Sequence, residues 1–184
     1  MSEVMWRRED GGVEHVVVSA AAGGGVDVDG VVVWPGDRGE AHRVRYTLRC
    51  DSAWRVRELR AEAPEDGTML HVHADGEGSW RSFDSVGLPH LDGCVDVDLY
   101  AVVFTNTLPV RRLGLEVGES RTIDVAYVRL PSMAVERMQQ RYTRVAADVY
   151  RYQSVASGFT ADLRVDAGGL VVDYPGLARR MWAR

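Results

Sequence analysis

The segment Arg43-Val44-Arg45-Tyr46-Thr47-Leu48-Arg49-Cys50 decides the fold. Its apolar side chains occupy every second position, and polar side chains occupy the positions between them. A period of two residues is that of a β-strand, whose successive side chains point to opposite faces of a sheet. One polar face is typical of an antiparallel sheet. We therefore expect the arginines of this segment to lie on a solvated face.

The same period recurs along the chain. It predicts further strands over residues 54–61, 69–74, 111–117, 120–130, 159–165 and 170–174. The apolar positions change parity within residues 54–61, which predicts a bulge or sharp bend near Arg57-Glu58. Gly118-Glu119 suits a type II′ turn, which predicts a hairpin between residues 111–117 and 120–130.

Helical patterns are few. Leu177, Met181 and Trp182 follow Pro175-Gly176 and predict a short C-terminal helical cap. Residues 135–142 fit a helix face and a strand equally well. Many closely spaced strands without βαβ alternation indicate a mainly β protein, in which residues 1–184 form a single domain. The expected architecture is a curved antiparallel sheet or half-open barrel with few short helices.

The composition excludes several functions. The chain has 184 residues, with 22 basic and 27 acidic side chains and a net charge of -5. A general nucleic-acid binder needs a basic field, so we expect no nucleic-acid partner. All the basic residues are arginine. Schiff-base and P-loop lysine mechanisms are therefore excluded.

The sequence also carries expectations about compartment. The first ten residues contain no apolar run of signal-peptide length, and the apolar run at residues 16–22 is too short to span a bilayer. We therefore expect a cytoplasmic protein without an integral membrane segment. Cys50 and Cys94 do not form a Cys-x-x-Cys pair, and we expect two reduced thiols.

Residues 92–113 combine acids, hydroxyls and arginines with apolar side chains. Asp96 and Asp98 alternate with apolar residues and share one side of a short strand. Arg111 is in phase with Leu113 and would point inward, where a charge needs a partner such as Asp96 or Asp98. One interpretation is a structural ion pair at the end of the sheet. The other is a polar recognition site for the head group of a ligand.

Residues 104–113, Phe-Thr-Asn-Thr-Leu-Pro-Val-Arg-Arg-Leu, resemble the signature of the bacterial putative glycolipid-binding family. Residues 51–57, 75–80 and 91–99, and several blocks of the C-terminal half, resemble further motifs of that family in the same order. The resemblance extends from about residue 31 to 180. Val103 stands where the family has proline before Phe104. The resemblance implies a spiral β-roll fold, and it carries over no catalytic residues.

The resemblance favours a binding protein for a lipid or glycolipid-like amphiphile over an enzyme. Such a ligand needs an apolar concave surface with polar groups at its rim. The expected apolar lining is Val44, Tyr46, Leu48, Ile123, Val125, Tyr127, Phe159 and Leu163. The expected ligand-binding residues are Asp96, Asp98, Thr105, Asn106, Thr107, Arg111 and Arg112.

Two alternatives stay open. In an enzyme, Asp96 and Asp98 would act with Arg111 as acid, base and anion clamp. In a protein-interaction module, Arg43, Arg45 and Arg49 would meet an acidic partner. The sequence leaves the oligomeric state open, a homodimer included.

The sequence gives no positive sign of a metal or cofactor. His71 and His73 share one strand face and could hold a metal ion as a pair. The spacing indicates no third ligand, so we expect neither a metal nor a cofactor.

Overall fold

The structure is a computed structural model that describes residues 1–65 and 67–184. Within these residues, fourteen strands form one sheet. The strands are β1 Ser2–Arg8, β2 Val13–Ala20, β3 Val26–Pro35, β4 Ala41–Cys50, β5 Val56–Ala63, β6 Thr68–Ala74, β7 Trp80–Ser82, β8 Asp96–Leu99, β9 Ser120–Arg129, β10 Ala134–Ala146, β11 Val149–Ser154, β12 Thr160–Val165, β13 Val171–Tyr174 and β14 Ala178–Ala183. Helical segments are the α-helix α1 at Thr107–Leu113 and 3-10 turns at Ala22–Gly24, Pro89–Leu91 and Phe104–Asn106.

The sheet consists of two antiparallel meanders, β1–β7 and β9–β14, which are joined at its centre, and β8 is added at one edge. Its order is β7-β6-β5-β4-β3-β2-β1-β14-β13-β12-β11-β10-β9-β8. Strands β1 and β14 pair in the middle, so both chain ends lie inside the sheet rather than at its edges. Of the pairs among the described strands, only β8 and β9 run parallel. The sheet is not closed, because β7 and β8 are its two free edges. The mainly β, curved-sheet prediction is confirmed.

Strand β4 has the predicted alternation of buried and exposed side chains. Val44, Tyr46, Leu48 and Cys50 are buried, and Arg43, Arg45 and Arg49 are exposed. Each of these arginines contacts an acid on a neighbouring segment: Arg43 binds Glu65 at 3.0 Å, Arg45 binds Asp29 at 2.7 Å, and Arg49 binds Asp27 at 3.4 Å and Glu58 at 3.2 Å. The solvated arginine face is therefore confirmed, and its charge is locally balanced.

The bulge predicted near Arg57-Glu58 is also present. Arg49 pairs with Glu58, whereas the next residue of β4, Cys50, pairs with Val56. Arg57 is the extra residue between these two pairs. The bulge returns both Val56 and Leu59 to the buried face, which explains the change of parity in the sequence.

A helical segment lies between the two meanders. Residues 101–110 are all buried, and they include the 3-10 turn at Phe104–Asn106 and the first half of α1. Pro109 lies in the first turn of α1, where a missing N–H costs little, and Gly114 ends the helix with a left-handed φ of 54°. The strand predicted over residues 111–117 is therefore wrong, and so is the hairpin at Gly118-Glu119. A helix this short is stabilised by burial, which no local pattern contains.

Two other expectations are settled by strand pairing. Residues 135–142, which fitted helix and strand equally, belong to β10 between β9 and β11. The C-terminal helical cap is wrong, because residues 178–183 form β14 and pair with β1 and β13. Pairing on both sides supplies more backbone hydrogen bonds than one turn of helix would.

The connection from β7 to β8 links the two free edges of the sheet. It packs closely against the turn before β7: Gly93 donates its N–H to the carbonyl of Gly78 at 2.9 Å. A Cβ on Gly78 would lie 2.9 Å from Cα of Gly93, so this contact requires glycine. The indole of Trp80 then donates to the Cys94 carbonyl at 2.7 Å. These contacts hold the β7 edge against the chain that leads into β8.

Candidate functional site

Asp96 forms the ion pair that the sequence predicted, but with a different arginine. Its side chain is fully buried, and both of its oxygens accept hydrogen bonds from Arg112, the shortest of 2.6 Å from Nη2. Burial raises the pKa of Asp96, and the hydrogen bonds and charge of Arg112 oppose that shift. This bidentate pair joins α1 to β8, so for Asp96 the geometry favours a structural role.

Asp98 belongs to a second polar group. Its carboxylate accepts hydrogen bonds from Gln140 Nε2 at 2.5 Å and Thr105 Oγ1 at 3.0 Å. The hydroxyl of Tyr142 donates to Asn106 Oδ1 at 3.0 Å, which connects β10 to the interior segment. Burial raises the pKa of Asp98 to about 6, although the two hydrogen bonds lower it. Asp98 keeps partial exposure, whereas Thr105 and Asn106 are buried.

The remaining predicted site residues lie apart from these acids. Arg111 is exposed, stacks over Trp54 with its guanidinium carbon 4.7 Å from the ring centroid, and donates to the Gly168 carbonyl at 3.0 Å. The expected inward pairing of Arg111 with Asp96 or Asp98 is therefore wrong. Thr107 is buried in α1. The groups of the catalytic alternative, two aspartates and Arg111, are not brought together.

A charged residue that the sequence analysis missed holds the interior segment. Glu14 of β2 is fully buried and accepts hydrogen bonds from the backbone N–H of Val103 at 2.5 Å and of Phe104 at 3.2 Å. The hydroxyl of Tyr46 donates to the same carboxylate at 2.7 Å. Burial raises the pKa of Glu14 to about 7, although these donors and Arg8 lower it. The sequence contains a pattern that could have identified this residue: Glu14 is in phase with the apolar Val16 along the strand, so it lies on the same face.

A wide opening lies elsewhere, beside β4, β5 and β6. It is a cavity of about 880 Å³. Its apolar lining consists of Tyr46, Ala61, Met69, Leu70, Val72, Phe83, Leu88 and Val135. Its polar lining consists of Arg45, Thr47, Arg60, Glu62, His71, Ser82, Asp84 and His90. None of the seven predicted ligand-binding residues is in this lining, and of the predicted apolar lining only Tyr46 is.

Exposed apolar side chains lie at this cavity. Met69 and Phe83 are each 65% exposed and line it, and Val86 in the same β7 connection is 63% exposed. Large apolar side chains in one exposed group are a common mark of a binding surface. Sequence reasoning missed the cavity because it forms between β6 and residues 82–90, a connection with no regular period.

Three side chains on β5 and β6 form a group that could hold a metal ion. The ligand atoms of Glu58, His71 and His73 all lie within 4.8 Å of one another. The sequence identified the histidine pair but not Glu58, because only the strand register places Glu58 opposite His73. Among the described residues, no helix is long and apolar enough to cross a membrane.

Comparisons with known proteins show one family and one similar solved structure. The model of a family described as "Putative glycolipid-binding" matches residues 3–180. A crystal structure of a DUF1089 family protein from Pseudomonas aeruginosa is similar, with a TM-score of 0.80 and 37% sequence identity over 91% of this chain and 92% of that chain. No curated protein matches the chain.

Proposed function

Since the chain belongs to the family described as putative glycolipid-binding, we propose that it binds a lipid or glycolipid-like amphiphile in the cavity beside β4, β5 and β6. The observation that carries the proposal is the combination of volume and lining. A volume of about 880 Å³ lies within the range of ligand pockets, about 300–1,000 Å³. The wall offers both apolar surface and several charged groups.

The two kinds of lining follow from strand geometry. Neighbouring residues of a strand point to opposite faces of the sheet, so Tyr46, Ala61 and Leu70 share one face of β4, β5 and β6, and Arg45 and Arg60 share the other. Apolar surface suits an acyl chain, for which burial contributes about 0.8 kcal/mol per CH₂ group. On the opposite face, the guanidinium group of Arg60 suits the oxygen atoms of a carboxylate, phosphate or sugar head group, whereas Arg45 is already bound to Asp29 at 2.7 Å.

The exposed side chains at the mouth support the same function. Phe83 and Met69 leave apolar surface in water next to the cavity. An amphiphile leaving a membrane or micelle would contact this surface before its chain enters. A second cavity of about 710 Å³ between β1 and the β13–β14 region has a more polar wall, including Arg7, Arg8 and Arg179. It offers less surface for an acyl chain.

The residues predicted as a polar rim fit a supporting role in this proposal. Asp96, Thr105, Asn106 and Thr107 are buried between the meanders, and Arg112 binds Asp96. They keep the interior segment in place, and that segment occupies the space that an open concave sheet would offer a ligand. The ligand is accordingly assigned to the cavity at the β4–β6 side.

Titration of delipidated protein tests the proposal. A fluorescent fatty acid and a fluorescent glycolipid analogue are the probes, and we expect saturable binding of at least one. Leu70→Trp fills the cavity and should weaken binding by about tenfold or more. Val155→Trp changes an exposed residue that does not line the cavity and is the matched control. Saturable binding that Leu70→Trp leaves intact would move the ligand elsewhere, and absence of saturable binding for both probes would refute the function.

A further inference from the structure

We propose that Glu58, His71 and His73 form a binding site for a divalent transition metal ion, with Zn²⁺ as its best match. The strands bring the three together: Glu58 pairs directly with His73, and His71 lies two residues before His73 on the same face of β6. Two imidazoles and one carboxylate are the protein ligands of many zinc sites that keep a fourth position open. This inference does not rest on the proposed amphiphile function, although His71 also lines the cavity assigned to the amphiphile.

The distances allow one ion after small side-chain rotations. The three ligand atoms lie within 4.8 Å of one another, and His71 Nε2 is 2.9 Å from Glu58 Oε1. An ion with bonds of about 2.1 Å in a tetrahedral site holds its ligand atoms about 3.4 Å apart. The longest separation must therefore shrink by at most about 1.4 Å. Side-chain torsions can supply this movement without a change in the backbone.

The surroundings restrict the imidazole rings. Phe83 stacks on His71 with ring centroids 4.8 Å apart and an interplanar angle of 28°. The centroid of His73 lies 4.7 Å from that of His71. The side chains of His71 and Glu58 are only 16% and 20% exposed. Partly fixed and partly buried ligands lose less entropy on binding an ion than free surface side chains would.

Nearby cationic side chains oppose metal binding and lower the affinity of the site. Arg49 lies 3.2 Å from Glu58 Oε2 on the same face. The register also places Arg60 opposite His71 and Arg81 opposite His73. An incoming ion must replace the hydrogen bond from His71 to Glu58 and compete with Arg49 for the carboxylate. We therefore expect binding weaker than that of a dedicated structural zinc site.

The ligand set also determines which ions bind. Imidazole suits Zn²⁺, Co²⁺, Ni²⁺ and Cu²⁺, whereas Mg²⁺ and Ca²⁺ prefer sites built from oxygen atoms. With one carboxylate and two imidazoles, the group should bind Zn²⁺ and discriminate against Mg²⁺ and Ca²⁺. Co²⁺ is a useful probe, because its visible absorption reports the coordination geometry.

The experiment uses tag-free, full-length protein freed of metal with a chelator. Isothermal titration with Zn²⁺ should give one site per chain, and His73→Gln or Glu58→Gln should weaken it about tenfold or more. Arg49→Gln should instead strengthen binding about two- to fivefold, because it removes the competing cation. His15→Gln is the matched control, since His15 contacts Glu3 at 2.9 Å in the same cross-strand arrangement without a second histidine.

Opposite effects of Arg49→Gln and His73→Gln cannot both arise from loss of folding. Circular dichroism of each variant verifies the fold. Absence of a single saturable Zn²⁺ site would overturn the proposal. Zn²⁺ affinity that stays unchanged in both His73→Gln and His15→Gln would overturn it as well, because the ion would then bind elsewhere.

Discussion

Replacing Glu14 with glutamine should change how the stability of the protein depends on pH. Glu14 is a fully buried carboxyl group held by Tyr46, Val103 and Phe104. Burial is the largest influence on its pKa and raises it from 4.5 to about 7, against the opposing effect of the hydrogen bonds. The folded protein therefore binds a proton at Glu14 over a pH range in which the unfolded chain has released it.

The sign and size follow from this difference. A raised pKa in the folded state means that the contribution of Glu14 to stability is complete below about pH 4.5 and is lost as the pH rises through about 7. A rise in the pKa from 4.5 to about 7 corresponds to about 3 kcal/mol. Typical domains have about 5–15 kcal/mol of stability, so this loss is a large fraction of the total.

Glu14→Gln removes the titration and keeps the shape of the side chain. Its single carbonyl oxygen can accept hydrogen bonds where Oε1 accepts them from Tyr46 and Phe104. Its amide group would then face the N–H of Val103, which donates to Oε2 in the unchanged protein. Losing that hydrogen bond in the interior costs about 1–3 kcal/mol. The variant should be less stable by that amount near pH 4.5 and equal or more stable at pH 8.

Urea unfolding of both proteins at intervals from pH 4.5 to 8 measures the effect. Asp98, whose pKa burial raises to about 6, adds a pH dependence of the same sign, but both proteins retain it. The difference between the two free energies of unfolding therefore isolates Glu14. A difference that stays constant across this pH range would refute the reasoning, because Glu14 would then not titrate there.

Two further expectations concern other buried groups. Arg112→Ala should lower the free energy of unfolding by about 3–5 kcal/mol, because it leaves the buried Asp96 carboxylate unpaired. Arg111→Ala, at an exposed position, should lower it by about 1 kcal/mol or less. Equal losses for the two variants in urea titrations would contradict this assignment. Burial raises the pKa of Cys50 to about 12 and that of Cys94 to about 11. A thiol reagent should therefore modify both cysteines slowly in the folded protein and rapidly in concentrated urea. Rapid modification without urea would contradict this expectation, because it would show that the thiols are accessible.

Local periodicity predicted the strands that have one buried and one solvated face. Strand β4 is the clearest case, and the bulge at Arg57 followed from a change of parity alone. Periodicity did not predict strand β14, and at residues 135–142 it fitted helix and strand equally well. In both segments, pairing with other strands decides between helix and strand. A sequence pattern shows which face of a segment is apolar but not which segment lies next to it.

The error at residues 111–117 has a more specific cause. Arg111, Leu113 and Leu115 alternate as a strand would, but the chain is helical to Leu113 and irregular beyond it. Pro109 and Gly114 are helix-end signals that compete with this alternation, and burial of the segment favours the helix. An ion pair between Asp96 and an arginine was predicted and is present. Because residues 107–113 form a helix, the arginine that binds Asp96 is Arg112 and not Arg111. A shift of one position therefore separates an exposed arginine from a partly buried one.

The interior segment also explains why the cavity, rather than the predicted polar rim, is the better candidate for ligand binding. A curved sheet offers a hollow only if nothing fills it, and here residues 101–110 are buried between the meanders. Glu14, Asp96 and Tyr142 bind that segment or α1 directly, so a ligand could enter there only by displacing several hydrogen bonds and an ion pair. The cavity requires no such displacement, because its mouth already carries the exposed side chain of Phe83. Since Arg112 binds Asp96 and Leu70 lines the cavity, substitutions at Arg112 should act on stability and substitutions at Leu70 on binding.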